Sequence, residues 1–171
     1  VGRKTRKDNQ DRLTNKLYID GRRFIALEKL IIRRLGKQDL TDISKILKAL
    51  TEKRGTIDYQ RAVEEEVKNR DRVSFVAELD SKVVGFLITY ILYGGFGLEK
   101  SAWIGLFGVD PKYMGQGIGK RMAQEVFKEF KKMDVGNIYS SVEWDSTDLL
   151  SFFKSLGFER SNFINLEKAL D

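Results

Sequence analysis

The chain has no cysteine and no histidine. Without cysteine there is no disulfide, no thiolate nucleophile and no sulfur-ligated zinc. Without histidine, a general base has to be a carboxylate, a tyrosine, a lysine or water. Proline occurs once, at Pro111, so the chain has a single fixed punctuation point. Long apolar runs are also lacking. The longest, Val83 to Tyr93, has 11 residues and contains Gly85, well short of the roughly 20 that a membrane-crossing helix requires. No signal peptide is apparent, and the cytoplasm is the expected compartment. What is present is 42% apolar and 33% charged residues in a chain of 171, enough for one domain with a proper core.

The net charge of +6 is uneven: residues 1–37 carry 12 Lys/Arg against 4 Asp/Glu. The surplus sits in an N-terminal arm over residues 1–16 whose first dozen residues offer almost nothing to pack. Such an arm is either a solvated tail or a contact for nucleic acid or an acidic protein surface. From Leu17 to Ile25, short apolar runs flank Asp20-Gly21, the composition of a tight turn, so an accessory hairpin is expected over residues 17–29. The remaining domain is expected over 30–171.

Within it, Leu30 to Leu35 reads as a strand. Leu40, Ile43, Ile46, Leu47 and Leu50 give an amphipathic helix, and Asp58 can cap a second helix from Tyr59 to about Asn69. Val73 to Leu79 and Lys82 to Tyr93 form a hairpin around Asp80-Ser81, and Trp103 to Val109 is a buried strand. Ile118, Met122, Val126, Phe130 and Met133 recur at helical spacing. Asn137 to Trp144 is expected as a strand, Thr147 to Leu156 as a short helix and Phe163 to Glu167 as a closing strand.

Between the buried strand and the long helix lies Val109-Asp110-Pro111-Lys112-Tyr113-Met114-Gly115-Gln116-Gly117-Ile118-Gly119-Lys120. Pro111 ends the strand ladder because it has no N–H to give. Three glycines at every second position leave room for a backbone or a ligand to come close, and the first amides of a helix have no intrahelical partner. With the helix dipole, those donors suit a phosphate or pyrophosphate; the alternative is a tight turn with a glycine-rich cap. The spacing does not fit a Walker loop, because Lys120 is followed by Arg121, nor a Rossmann fingerprint, whose third glycine comes three residues after the second.

This stretch resembles motif A of the GNAT-type N-acetyltransferases, with Met114 at the place of the family's usual Arg or Gln. Phe152-Phe153-Lys154-Ser155-Leu156-Gly157-Phe158 is similar to a second pattern of that family, Phe-Tyr-x-x-x-Gly-Phe. The order of the expected elements also matches that family's α/β (α+β) fold, a mixed, mostly antiparallel central sheet flanked by helices, over residues 30–168. The resemblance implies acetyl-CoA as co-substrate, without a metal. It places the pantetheine arm along Phe107 to Val109 and the pyrophosphate in the loop of Met114, Gly115, Gln116, Gly117, Ile118, Gly119 and Lys120. Ser146 and Phe153 fall at further cofactor positions, and Lys112 and Arg121 are within reach of a 3′-phosphate.

The acid/base half departs from the family. Phe153 stands where many members have a tyrosine acid, and Ser141 where some that acetylate protein N-termini have a glutamate base. Replacements are sought in Glu143, on the same expected strand face as Ser141, in Asp145, which competes with a helix-capping role, and in Tyr139 as acid. Proximity alone can also supply much of the rate. The expected activity is transfer to a primary amine, direct because without cysteine a ping-pong route needs another nucleophile, with a protein lysine or N-terminus slightly favoured over a small amine. The alternatives are an acyl-CoA-binding sensor and a module that binds a partner or nucleic acid. Only about four residues separate Phe158 from the expected closing strand, fewer than the family usually has, leaving one side of the acceptor cleft open to a large acceptor or a homodimer partner.

Overall fold

A computed structural model of the chain describes residues 18–19, 22–23, 29–51, 61, 63–65, 73–94 and 99–170. The basic arm and most of the second expected helix lie outside the described residues, although Arg61 and residues 63–65 are helical. Near the N-terminus, β1 (Tyr18–Ile19) and β2 (Arg22–Arg23) pair antiparallel on either side of Asp20-Gly21 in sequence.

The main sheet has five strands: β3 (Ile31–Arg34), β4 (Phe75–Leu79), β5 (Lys82–Tyr93), β6 (Lys100–Val109) and β7 (Asn137–Ser140), in spatial order of the chain. The first four are antiparallel neighbours, and β7 runs parallel to β6. The β4–β5 turn uses Asp80 and Ser81 with φ of 48° and 61°, the left-handed pair that a two-residue hairpin needs.

Helices cover both faces. On one, α1 (Leu40–Thr51) buries Ile43, Ile46 and Leu47 against Val76, Phe86 and Ile88. On the other, α2 (Ile118–Lys132) buries Ile118, Met122, Val126 and Phe130 against Val84, Leu87, Ile104 and Val109. A central strand covered on both sides reads as an unbroken apolar run, which is why β5 shows so little alternation. The start of α1 is fixed by Asp39, only 2% exposed, which takes both Nη atoms of Arg33 at 2.7 Å and the Gly36 N–H at 2.8 Å. Arg33 Nε also reaches Glu78 at 2.7 Å, and these carboxylates, Asp39 first, hold the guanidinium above its ordinary pKa. Among the described residues no helix is long and apolar enough to cross a membrane.

Two expected strands differ. The strand expected over Asn137–Trp144 ends at Ser140, because Gly105 is the extra residue of a bulge in β6: Thr89 pairs with Ile104, but Ile88 pairs with Leu106. A bulge bends its strand. Beyond Ile104, β6 stays with β5 and parts from β7, whose last partner is Ile104 opposite Ser140. The closing strand expected over Phe163–Glu167 is also absent. That stretch is exposed and joins no ladder; Phe163 lies edge-on to Tyr139 of β7, and Asn165 Nδ2 donates to Oγ of Ser141, just past β7, at 2.5 Å. A cleft of about 710 Å³, lined by Tyr139, Val142, Phe153, Phe158 and Arg160 among others, lies along β7 and α3 (Thr147–Ser155).

Candidate active site

At the end of β6 the chain makes one tight turn. Asp110 Oδ1 accepts the Lys112 N–H at 2.9 Å, and the Asp110 carbonyl accepts the Tyr113 N–H at 2.8 Å. Pro111 fits the first position of such a turn, where no N–H is needed. The glycines that follow serve two different purposes. Gly115 and Gly117 have φ of 76° and 80°, the left-handed region that a side chain disfavours. Gly117 is exposed, and a Cβ there would meet no atom within 4 Å. Gly119 is buried, and a Cβ there would lie 2.7 Å from Phe107 Cζ and 3.0 Å from Phe152 Cε2.

The first i→i−4 bond of α2 runs from the Arg121 N–H to the Gly117 carbonyl at 3.0 Å. The amides of Ile118, Gly119 and Lys120 precede it, at the positive end of the helix dipole. Lys112, Lys120 and Arg121 are exposed around this mouth, and no acidic residue occurs between Asp110 and Glu125. Met114 is 39% exposed and Gln116 half-buried. The arrangement presents backbone donors and positive charge to open space, with nothing of the opposite sign on the loop.

Beside this mouth, the parting of β6 from β7 leaves residues 105–109 paired with β5 only, among the described residues. Ser140 Oγ, donating to the Ile104 carbonyl at 3.1 Å, is the last tie across the gap. The side chains on this edge face the core. Val109 is 6% exposed, and the Phe107 ring stacks on Phe152 at 4.6 Å and 8°. What remains along the opening is backbone N–H and C=O, an edge that can take an extended chain as an added strand. Phe107 touches Gly119, so the edge and the helix mouth are held in one register by direct packing.

The glycine-rich loop, Phe107 and, through Phe152, Phe153 are thus brought together, but the expected catalytic residues are not. Glu143 was placed on a strand face with Tyr139 and Ser141; with β7 ending at Ser140, it lies beyond the strand and is exposed. Asp145 does not cap α3: the N-cap is Ser146, half-buried, and it has no side-chain capping bond. Tyr139 sits between Trp103, stacked at 6.1 Å, and Phe163, edge-on at 6.1 Å. Phe153 is 7% exposed, packed against Phe152 at 5.5 Å and Phe158 at 5.0 Å. Sequence reasoning did not anticipate the bulge at Gly105, where β6 and β7 part and against which the Tyr90 ring lies. A glycine in the middle of a bulky strand was the available signal.

The sequence pattern described as the acetyltransferase (GNAT) family matches residues 40–158. The chain is similar to an N-alpha-acetyltransferase of Sulfurisphaera tokodaii, 28% identical over 137 residues, covering 74% of this chain and 80% of the relative. A shorter segment of 51 residues is 41% identical to GCN5-related N-acetyltransferase 2, chloroplastic, of Arabidopsis thaliana, covering 30% of this chain and 19% of the plant protein's length. Among solved structures, aminoglycoside N-acetyltransferase AAC(6')-Iy in complex with CoA superposes with a TM-score of 0.69 at 19% identity, covering 82% of this chain and 94% of that one. With the glycine-rich helix mouth, the parted strands and a pattern match over most of its length, the chain belongs to the acetyltransferase (GNAT) family.

Proposed function

We propose that the chain transfers the acetyl group of acetyl-CoA directly to a primary amine of a protein, its N-terminus or a lysine. The observation that carries this reading is the juxtaposition of the open helix mouth at Gly117 with the open edge of β6 over residues 105–109. The Sulfurisphaera relative, named an N-alpha-acetyltransferase and similar over 74% of this chain, favours a protein amine over an aminoglycoside.

The residues fit the co-substrate. The space in front of Gly117 is clear, so a diphosphate can approach the amides of Ile118, Gly119 and Lys120, with those of Met114 and Gly115 and the side chain of Gln116 at its flank. Lys120 would add charge, and Lys112 and Arg121, on the same mouth, would meet a further phosphate. The backbone of Phe107 and Val109 would hold the pantetheine amides. Ser146, the N-cap of α3, and Phe153, packed on Phe152, would be the further cofactor residues. When bound, acetyl-CoA supplies an activated acetyl thioester. With no cysteine in the chain, direct attack by the amine is the simplest route.

On the acceptor side, Glu143 and Asp145 stand exposed beyond the end of β7, where they attract an ammonium group and take its proton through water. Tyr139 contributes an aromatic wall. A second reading, a sensor that binds acyl-CoA with little turnover, is favoured by the burial of hydroxyl-free Phe153 at 7% exposure. The test is calorimetric titration with CoA, followed by thiol release from acetyl-CoA over peptides with free α-amino groups, lysine peptides blocked at the N-terminus, and aminoglycosides. Turnover with peptides supports the proposal. Tight CoA binding with no thiol release from any acceptor supports the sensor.

A further inference from the structure

Where β6 and β7 part, the two faces of the sheet differ. On the α2 face the Phe107 ring fills the opening, packed against Gly119 of α2 and stacked on Phe152 of α3. An amine that is to meet a thioester held along Phe107 to Val109 therefore comes from the other face. The last two rungs that join β6 to β7 are Trp103 opposite Tyr139 and Ile104 opposite Ser140. Ala102 and Ile104 are buried in the cluster on the α2 side, so Trp103 between them projects to the opposite face. Ile138, packed on the same cluster, turns Tyr139 the same way.

The Trp103 and Tyr139 rings stack at 6.1 Å and 30°, and Phe163 stands edge-on to Tyr139 at 6.1 Å. On the other side of Trp103, its cross-strand partner is Tyr90 of β5, which packs on the α1 cluster. Trp103 and Tyr139 belong to neither core cluster among the described residues, and both are half-buried. An aromatic row thus emerges from under α1, with its middle two rings partly open to solvent at the vertex of the gap. Charge changes sign across that gap. Lys112 to Arg121 is basic and contains no acid, whereas Asn137 to Asp148 carries Glu143, Asp145 and Asp148 and contains no lysine or arginine.

We infer that Trp103 and Tyr139 are specificity-determining residues, an aromatic seat that receives the acceptor as a protonated amine; this rests on the proposed acetyl transfer. The face of an aromatic ring carries the negative part of its quadrupole and attracts a cation within about 6 Å, tryptophan most strongly. An ammonium held on this pair stands one rung from Ile104 and Ser140, where the strands part. It becomes the attacking amine by giving one proton to water. The exposed carboxylates past β7 draw the cation in from a distance, and the rings supply the discrimination at contact.

The test separates charge from shape. One probe is an alanine-initiated tripeptide whose α-nitrogen carries three methyl groups, a permanent cation that cannot be acetylated. The other is its neutral counterpart, with a tert-butyl group in place of the trimethylammonium. Binding of each to the CoA-loaded protein is measured by calorimetry, alongside KM and kcat for the same tripeptide with a free α-amino group. The wild type should bind the cation about 10-fold more tightly than the neutral probe. In Trp103→Leu the two should bind alike, and KM should rise about 10-fold with kcat and CoA affinity little changed. Trp103→Phe, which keeps a ring, should retain part of the preference, and Tyr139→Leu should lower it. A wild type that binds both probes equally overturns the inference. So does a Trp103→Leu variant that keeps the full preference and the wild-type KM, because the carboxylates alone then carry the selectivity. Failure of the wild type to bind CoA is a different result: it removes the acetyl-transfer reading, and this inference with it.

Discussion

Gly117 and Gly119 stand two residues apart in one motif, yet the structure assigns them different costs. At Gly119, a methyl group would sit 2.7 Å from Phe107 Cζ and 3.0 Å from Phe152 Cε2, where carbon atoms prefer about 3.5–4.0 Å. Neither ring can retreat easily, because they are stacked on each other at 4.6 Å. Gly119→Ala is an overpacking substitution and should cost about 2 kcal/mol, lowering Tm by about 6 °C for a chain of this size. At Gly117, a Cβ would meet nothing within 4 Å, so the only cost to the fold is the left-handed backbone at φ 80°, about 1 kcal/mol. The methyl would instead occupy the space in front of the helix amides. Loss of one charge-assisted hydrogen bond there costs about 2 kcal/mol, or roughly 30-fold in CoA affinity. Thermal denaturation and calorimetric CoA titration of the two variants should give opposite rankings: Gly119→Ala the larger loss of stability, Gly117→Ala the larger loss of affinity. Gly117→Ala binding CoA as tightly as wild type would refute the reasoning.

Arg33→Ala leaves the Asp39 carboxylate buried with the Gly36 N–H as its remaining partner in the cluster, and should destabilise the fold by about 3 kcal/mol in denaturant titration. Ser101 is fully buried and its hydroxyl has no hydrogen-bond partner among the described residues; Ser101→Ala should be neutral or stabilising by about 1 kcal/mol. The Asp42 carboxyl is held below its ordinary pKa, chiefly by its hydrogen bond from Lys45, then also by the Val83 N–H. A depressed folded-state value stabilises the fold above the unfolded pKa, near 3.9, and the contribution is lost as pH falls through the folded value. Asp42→Asn should therefore narrow the stability gap between pH 6 and pH 3 relative to wild type. Glu143→Gln should raise the KM for a peptide amine with CoA affinity unchanged, and an unaltered KM removes Glu143 from the acceptor side.

Most of the sheet and both flanking helices were legible because they follow from local rules. Helical spacing marks α1 and α2, the Asp80-Ser81 turn marks the β4–β5 hairpin, and Pro111 marks the end of β6. The helix start was legible because Pro111 ends the strand before it and an amphipathic run follows the glycines. What escaped depends on contacts between distant residues. The early end of β7 is set by a bulge at Gly105 in a different strand, so Glu143 looked like a strand residue when read alone. The closing strand over Phe163–Glu167 has suitable composition, but a ladder needs a backbone partner, and this stretch meets Tyr139 and Ser141 through side chains instead. Phe153 resembles a catalytic position by motif, whereas three-dimensionally it is part of the aromatic packing with Phe152 and Phe158.

The account's central claim is most directly tested by a crystal structure of the chain with CoA. The diphosphate oxygens should lie about 3 Å from the amides of Ile118, Gly119 and Lys120, with the pantetheine arm along residues 107–109 in the gap between β6 and β7. CoA seated elsewhere, with the helix mouth occupied only by solvent, would contradict it.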